Sequence, residues 1–254
     1  MTLVLRDVAD GIGAITLNRP EQMNALTVAL SGELERAILE MGSDPAVNVV
    51  VVQGAGGNFC AGGDFNEVEL LRSSGPDALR SLFEAFRRAC DAIARVEVPV
   101  IAAVEGVAMA GGFELMQAAD ITLACDDARI SDNHIRFGQV PGGGSTQRLP
   151  RLVGRQRALG LLLSGDRLDG LEAVRLGLAY RSWPAEAFEG EVAAFIETLA
   201  SRRRDALARI KRLVREGLEG NLAAGLQAEL DAVVEHIAGA AGGAGVTAFS
   251  MRSS

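Results

Sequence analysis

Lysine is almost missing from this chain: Lys211 stands alone, and arginine carries nearly all of the positive charge. Basic residues are outnumbered by acidic ones, 25 against 33, for a net charge of −8. That balance argues against general binding to nucleic acid or anionic membranes, although a local basic site is still compatible with it. Aromatic residues make up only 4%, so the core must be aliphatic with close Ala and Gly packing. There are three cysteines, Cys60, Cys90 and Cys125, an odd number without metal-ligand spacing. This argues against a disulfide framework and a zinc site, and it fits a reducing cytoplasm. No apolar run approaches the ~20 residues of a membrane span. The N-terminus lacks a charged-then-apolar signal. A cytoplasmic protein with no membrane partner is expected. What is present is ordinary for a folded chain of 254 residues, 48% hydrophobic and 23% charged. That length suits one large domain, or one with an appendage.

Apolar periodicity gives an α/β pattern. Residues 2–8 and 12–17 read as a hairpin, and 18–24, with Pro20, as a polar turn. Leu30, Leu34, Ile38 and Met41 share one face of a helix over 27–41, with Thr27 as its cap. The β-branched run 47–53 and the apolar run 98–104 predict buried strands. Residues 65–74 read as irregular or weakly helical, and 77–95 as a long helix. A helix at 112–118 is followed by short strands at 120–124 and 128–131. Residues 141–145 read as a very flexible glycine loop. Helices then dominate, at 146–152, 155–163, 170–175, 185–200, 202–217 and 220–238. The tail 239–245 is low in complexity and reads as loose. Strand, turn and helix recur around 49–64 and 101–114, which points to a repeated strand–strand–helix unit.

Two glycine turns carry most of the chemistry: GNFCAGGDF (57–65) and VEGVAMAGGFELMQAAD (104–120). Each ends a strand-like run and opens a helix-like one. The first turn of a helix leaves backbone N–H groups without internal partners. Two such turns facing each other could hold an oxygen that gains negative charge, an oxyanion hole of backbone alone. Taken singly, each Gly pair could equally be a tight turn.

These turns, with ITLNRPEQMNAL (15–26), VPGGGSTQRLPRLVG (140–154) and LLLSGDRLDGLEAVRLGLAYRSWP (161–184), resemble the crotonase, or enoyl-CoA hydratase/isomerase, superfamily in order and spacing. The resemblance covers roughly residues 3–190. It implies a crotonase (ClpP-like) α/β fold: a superhelical core of repeated ββα turns over 1–195 and a C-terminal helical trimerisation region over 196–254. It implies homotrimers or dimers of trimers acting on acyl-CoA thioesters, with coenzyme A as part of the substrate and no metal or other cofactor. The family's oxyanion donors fall on the backbone N–H of Gly63 and Gly111. Asn24, Ala25 and Leu26, then Cys60, Ala61, Gly62, Asp64, Phe65 and Asn66, match segments that follow the CoA moiety. Gly112, Pro141 and Gly142 fall on the substrate side as well.

Family hydratases place two glutamates at the reacting carbons. The first matches Glu114, which could otherwise be a helix-start acid facing the dipole. The second position holds His134, and there the sequence departs from the family. Three readings compete: a replacement acid/base in a hydratase or isomerase, a substrate-binding group beside Glu114 alone, or the mark of a site that binds acyl-CoA without turning it over. Near Glu114, an imidazole could share a proton with the carboxylate, so that the pair titrates as a unit. Asp132 would share a side with His134 on an extended segment, as its partner or, more simply, as an exposed loop acid. His236 reads as a surface residue and Cys60 as packing. Arg204, Arg212 and Arg215 form one face of a basic helix, either solvated or in contact with CoA phosphates or an anionic partner. Phe83 and Phe86 are candidates for the acyl pocket. Hydration of a 2-enoyl-CoA is the expected activity, with double-bond isomerisation, other crotonase-type acyl-CoA chemistry such as hydrolysis or decarboxylation, or simple acyl-CoA binding as alternatives.

Overall fold

The computed structural model describes residues 2–239. The alternating N-terminal residues pair as an antiparallel hairpin of β1 (Val4–Ala9) and β2 (Ile12–Leu17), with Val4 opposite Leu17. Helix α1 (Val28–Ser43) follows, and the Thr27 hydroxyl accepts the Leu30 N–H at 3.0 Å as its cap. Next come β3 (Val49–Gly54), α2 (Phe65–Ser73), α3 (Pro76–Arg95), β4 (Val100–Val104), β5 (Val107–Met109), α4 (Gly111–Ala118), β6 (Ile121–Cys125) and β7 (Arg129–Ser131). Then follow α5 (Ser145–Val153), α6 (Arg155–Ser164), α7 (Gly170–Leu176), β8 (Arg181–Trp183) and α8 (Ala185–Ala200). These form a unit ending at Arg204. Helices α9 (Arg204–Glu219) and α10 (Leu222–Ala238) carry the second unit, which starts at Asp205. The tail expected to be loose lies, apart from Gly239, outside the described residues.

The main sheet has the order β1-β2-β3-β4-β6-β8, parallel everywhere except at the opening hairpin. Val49, Val50, Val51 and Val52 are all buried. A strand apolar on both sides needs cover on both faces. Helix α1 packs on β1, β2 and β3, and α8 packs on β2, β3, β6 and β8. Each valine so enclosed is worth about 1.5–3 kcal/mol.

A second, smaller sheet positions the site. After each of three main-sheet strands the chain leaves the sheet and pairs again. β5 lies parallel to β7 with Ala108 beside Ile130, and Cys60 joins the same row through a parallel bridge to Ala108. Three residues beyond that row stand Gly63, Gly111 and Asn133. The chain then enters α2, α4 and a 3-10 turn at His134–Phe137. This is the repeated strand–strand–helix unit, and its register brings three successive turns to one end of the small sheet. Gly112 permits a close approach of the first two turns: a Cβ there would meet the Cys60 carbonyl oxygen at 2.0 Å.

Some elements differ from the sequence expectation. Residues 65–73 form a regular helix because Asp64 caps it, accepting the Asn66 and Glu67 N–H groups at 3.0 and 3.2 Å. The short strands β5 and β8 are not among the strands expected from the sequence. The Arg204 guanidinium donates to the carbonyls of Gly42 at 2.9 Å, Asp44 at 2.6 Å and Val47. It closes the C-terminal end of α1 and its side chain is committed there. Within the second unit, Arg209 pairs with Glu235 at 2.9 Å, and His236 Nδ1 lies 4.0 Å from Asp205. His236 is half-buried, not the surface residue expected.

Candidate active site

The two glycine turns meet. In the first, the Leu26 N–H donates to Gly62 O at 2.7 Å and the Asp64 N–H to Leu26 O at 2.9 Å. This parallel bridge uses the groups on either side of Gly63 and leaves its own N–H on the opposite side. In the second, Gly111 is the first residue of α4, where a helix has no internal acceptor for its N–H. Among the described residues, neither N–H has a protein acceptor. Ala110 adopts φ 48° and ψ −116°, a conformation normally left to glycine. It is held by its N–H to Ser131 O and by the Glu114 N–H to its carbonyl, both at 3.0 Å. Strain of this kind costs on the order of 1–3 kcal/mol and persists only where the surroundings enforce it. Here it sets the direction in which Gly111 N–H points. A Cβ on Gly62 (φ 100°) would lie 3.0 Å from Gly111 N, so the turns are in contact. Gly63 and Gly111 line one cavity of about 430 Å³. Such a pair of N–H groups can hold an oxyanion, aided by the positive end of α4.

Glu114 lies in the first turn of α4, 2% exposed, and lines the same cavity. Its Oε1 accepts the N–H groups of Gly143 at 2.7 Å and Ser145 at 3.1 Å. The glycine loop 141–145, expected to be very flexible, is thus the brace of this carboxylate. Oε2 has no protein donor among the described residues. Burial pushes the Glu114 carboxyl above its ordinary value. The Ser145 and Gly143 N–H groups and the charge of His134 favour the ionised form without reversing the rise, and the Asp132 charge adds to it.

His134 opens the 3-10 turn and lines the cavity as well. Its Nδ1 lies 2.6 Å from Asp132 Oδ1. Asp132 is 2% exposed, and its Oδ2 has no hydrogen-bond partner among the described groups. The exposed loop acid is therefore a correction: Asp132 is a buried partner of His134. The pairing also comes through a turn, not through the extended segment considered from sequence. Burial by itself would lower His134. The hydrogen bond and charge of Asp132, with the charge of Glu114, outweigh it and hold the imidazole above its ordinary value.

The rest of the cavity is mostly apolar: Leu26, Ala61, Val68, Leu79 and Leu82, with Phe83 and Phe86 of α3 as anticipated. Phe65 and Phe137 pack edge to face at 5.7 Å on its exposed side. Of the residues matched to substrate contact, Leu26, Ala61 and Phe65 line the cavity. Asn24, Ala25, Cys60, Gly62, Asp64, Asn66, Gly112, Pro141 and Gly142 do not. Asn24 is fully buried, and its amide donates to the Ala55 and Asn58 carbonyls at 2.9 and 2.6 Å. Arg19 links Asp64 at 2.8 Å to the Ala25 carbonyl at 2.5 Å. Asp64 and Asn66 border a separate open groove with Arg19, Gln22 and Leu70. Cys60 is packing: burial pushes its thiol up to about 12, far from a thiolate nucleophile. A Cβ on Gly142 would meet the Phe83 ring at 2.5 Å, so the loop lies directly on the pocket wall. Sequence reasoning missed Gly143, Ser145 and Phe137. Only the glycine spacing near Glu114's loop carried any signal for them.

The sequence profile described as "Enoyl-CoA hydratase/isomerase" matches residues 7–253. The chain is 36% identical over 224 residues to the "Probable enoyl-CoA hydratase" of Mycobacterium leprae, covering 88% of this chain and 85% of that protein. It is 37% identical over 218 residues to the mitochondrial enoyl-CoA hydratase of Pongo abelii, covering 86% and 73%. The crystal structure of an enoyl-CoA hydratase from Bacillus anthracis superimposes with a TM-score of 0.93 at 31% identity, covering 99% of this chain and 97% of that one. Its α/β architecture is the crotonase fold, and among the described residues no helix is long and apolar enough to cross a membrane. The chain belongs to the enoyl-CoA hydratase/isomerase family, enzymes of the crotonase superfamily that act on acyl-CoA thioesters.

Proposed function

We propose that this enzyme adds water across the α,β double bond of a 2-enoyl-CoA thioester, and removes it in the reverse direction. One observation carries the proposal. A buried carboxylate with one oxygen tethered and the other free shares a cavity with an imidazole and two unpartnered N–H groups. Gly63 and Gly111 N–H receive the thioester oxygen. Glu114 Oε2 takes a proton from water as the water oxygen bonds to Cβ. The π electrons move through an enolate held at the N–H pair, and Cα takes the Nε2 proton of His134. The proton on Glu114 then returns to His134, so the site ends as it began and one water has been added. The raised carboxyl of Glu114 makes it a stronger base than a solvated glutamate, and the paired imidazolium is a suitable acid. The thioester itself acidifies Cα, so this chemistry calls for no metal or redox cofactor.

The trimer or dimer of trimers and the cytoplasmic setting belong to the same proposal. Ile210, Val214 and Leu218, spaced four apart on α9, and Leu222, Leu226 and Leu230 on α10 are exposed. Such apolar rows support burial against further copies, which light scattering would measure.

The test of function is crotonyl-CoA hydration, followed by loss of absorbance of the conjugated thioester. Wild type should turn over, and Glu114→Gln should be nearly inactive while still binding acyl-CoA. An inactive wild type that binds acyl-CoA tightly would refute the proposal.

A further inference from the structure

Asp132 is a buried acid beside the site. It is a carboxylate 2% exposed, one of whose oxygens has no partner among the described groups. A buried charge without compensation is costly, and the hydrogen bond it makes at 2.6 Å is to the ring of His134. Nδ1 is consumed by that bond, which leaves Nε2 as the one ring nitrogen available to the cavity that His134 lines. The charged groups that bear on His134 are Asp132 from its own segment and Glu114 from α4. Helix α6, which packs against the His134 turn, carries only Arg155 and Arg157 as charged residues, and both are exposed. Glu69 and Arg72, also on the cavity lining, pair with each other at 2.7 Å.

We propose that Asp132 is a positioning residue that holds His134 with Nδ1 protonated and Nε2 turned to the substrate, so that a carboxylate–imidazolium pair is the acid of this site. The inference rests on the hydratase proposal above for its consequence, though not for its geometry. A single exposed histidine rotates about two side-chain bonds and has two tautomers. A buried acceptor on Nδ1 removes the wrong tautomer and fixes the ring plane. It also keeps the imidazolium charged within an apolar enclosure, where it faces both Glu114 and the enolate that forms. The same proton would leave a lone histidine more readily, since burial disfavours its charged form. The loop sequence SDNHIRF thus codes the acid and its support within three residues, Asp132 to His134.

The chain has two histidines, which makes a direct test feasible. In a His236→Gln background, His134 is the sole imidazole, and its ring nitrogens can be titrated by NMR without substrate. The expected result is Nδ1 protonated and hydrogen-bonded, with a midpoint above the ordinary value of about 6.5. Asp132→Asn should move that midpoint down and release the tautomer. In kinetics, the same substitution should lower kcat by roughly 10²-fold, the lower end of what a positioned acid contributes, with KM changed far less. Its activity should also fall away at lower pH than wild type, because the acid loses its proton earlier. Asp132→Glu should recover part of the pH profile. A His134 midpoint at or below 6.5 in the parent overturns the inference, and that reading stands even if Asp132→Asn does not fold. A midpoint unmoved by Asp132→Asn overturns it too. If the titration behaves as expected but crotonyl-CoA is not hydrated, the hydratase proposal fails while the Asp132–His134 pair survives.

Discussion

Glu114 and His134 border the same cavity but are held in different ways. Glu114 is fixed by main chain: two N–H groups of the 143–145 loop on one oxygen. His134 is fixed by one side chain, and that side chain is itself a buried charge. Main-chain support does not depend on which side chains the loop carries, provided the loop can come close. Side-chain support changes when either partner changes. One half of the site is therefore built on backbone, and the other depends on a second side chain, Asp132.

Removing the charge from each half in turn would measure this difference. Glu114→Gln should show the largest loss, about 10³–10⁴-fold in kcat, since a general base is removed while both N–H donors keep an acceptor. The same variant should melt higher at neutral pH. The folded carboxyl lies above its ordinary value, so the ionised form opposes folding. That gain should vanish in acid, where Glu114 is protonated in both states. Steady-state kinetics and a melting curve across pH check both effects.

His134→Gln should cost less, about 10²–10³-fold, because a water could deliver the second proton to an enolate that is still held. Equal losses in the two variants, measured with crotonyl-CoA, would mean that the halves act as one unit. Gly62→Ala should follow, at roughly 10–10²-fold in kcat through a displaced Gly111 N–H. Its φ of 100° and a Cβ 2.9 Å from the Met109 carbonyl should also lower stability, by about 1–3 kcal/mol. Thermal unfolding beside activity separates the two. The smallest effect is expected outside the cavity, at Asp64→Asn, which keeps the cap of α2 and loses the Arg19 pair. Stability should fall by about 1–2 kcal/mol with activity nearly kept. Arg19 and the capping N–H groups outweigh burial and hold the Asp64 carboxyl below its ordinary value. Its contribution is present above that ordinary range and is lost as pH falls through the folded value. Wild type and variant should converge in acid, as urea titrations at several pH values would reveal.

Much of the backbone half could be read from the sequence. Buried strands leave β-branched runs, and tight approaches leave glycines, as at Gly62 and Gly112. The spacing of Glu114 from its glycines did the rest. The side-chain half was less legible. Asp132 lies in a polar stretch that reads as exposed, and only tertiary packing buries it. The 141–145 loop reads as free because its partner, Glu114, is 29 residues from Gly143. α2 reads as only irregular or weakly helical although Asp64 and Glu67 have the spacing of a helix start. Here Glu67 instead accepts the Val28 N–H at 2.9 Å and ties α2 to the start of α1.

The measurement to make is crotonyl-CoA turnover in deuterium oxide, with the product examined by NMR. Hydration through Glu114 and His134 predicts a 3-hydroxyacyl thioester carrying one deuterium at Cα. A 3-enoyl thioester, or unchanged substrate after long incubation with folded enzyme, would contradict it.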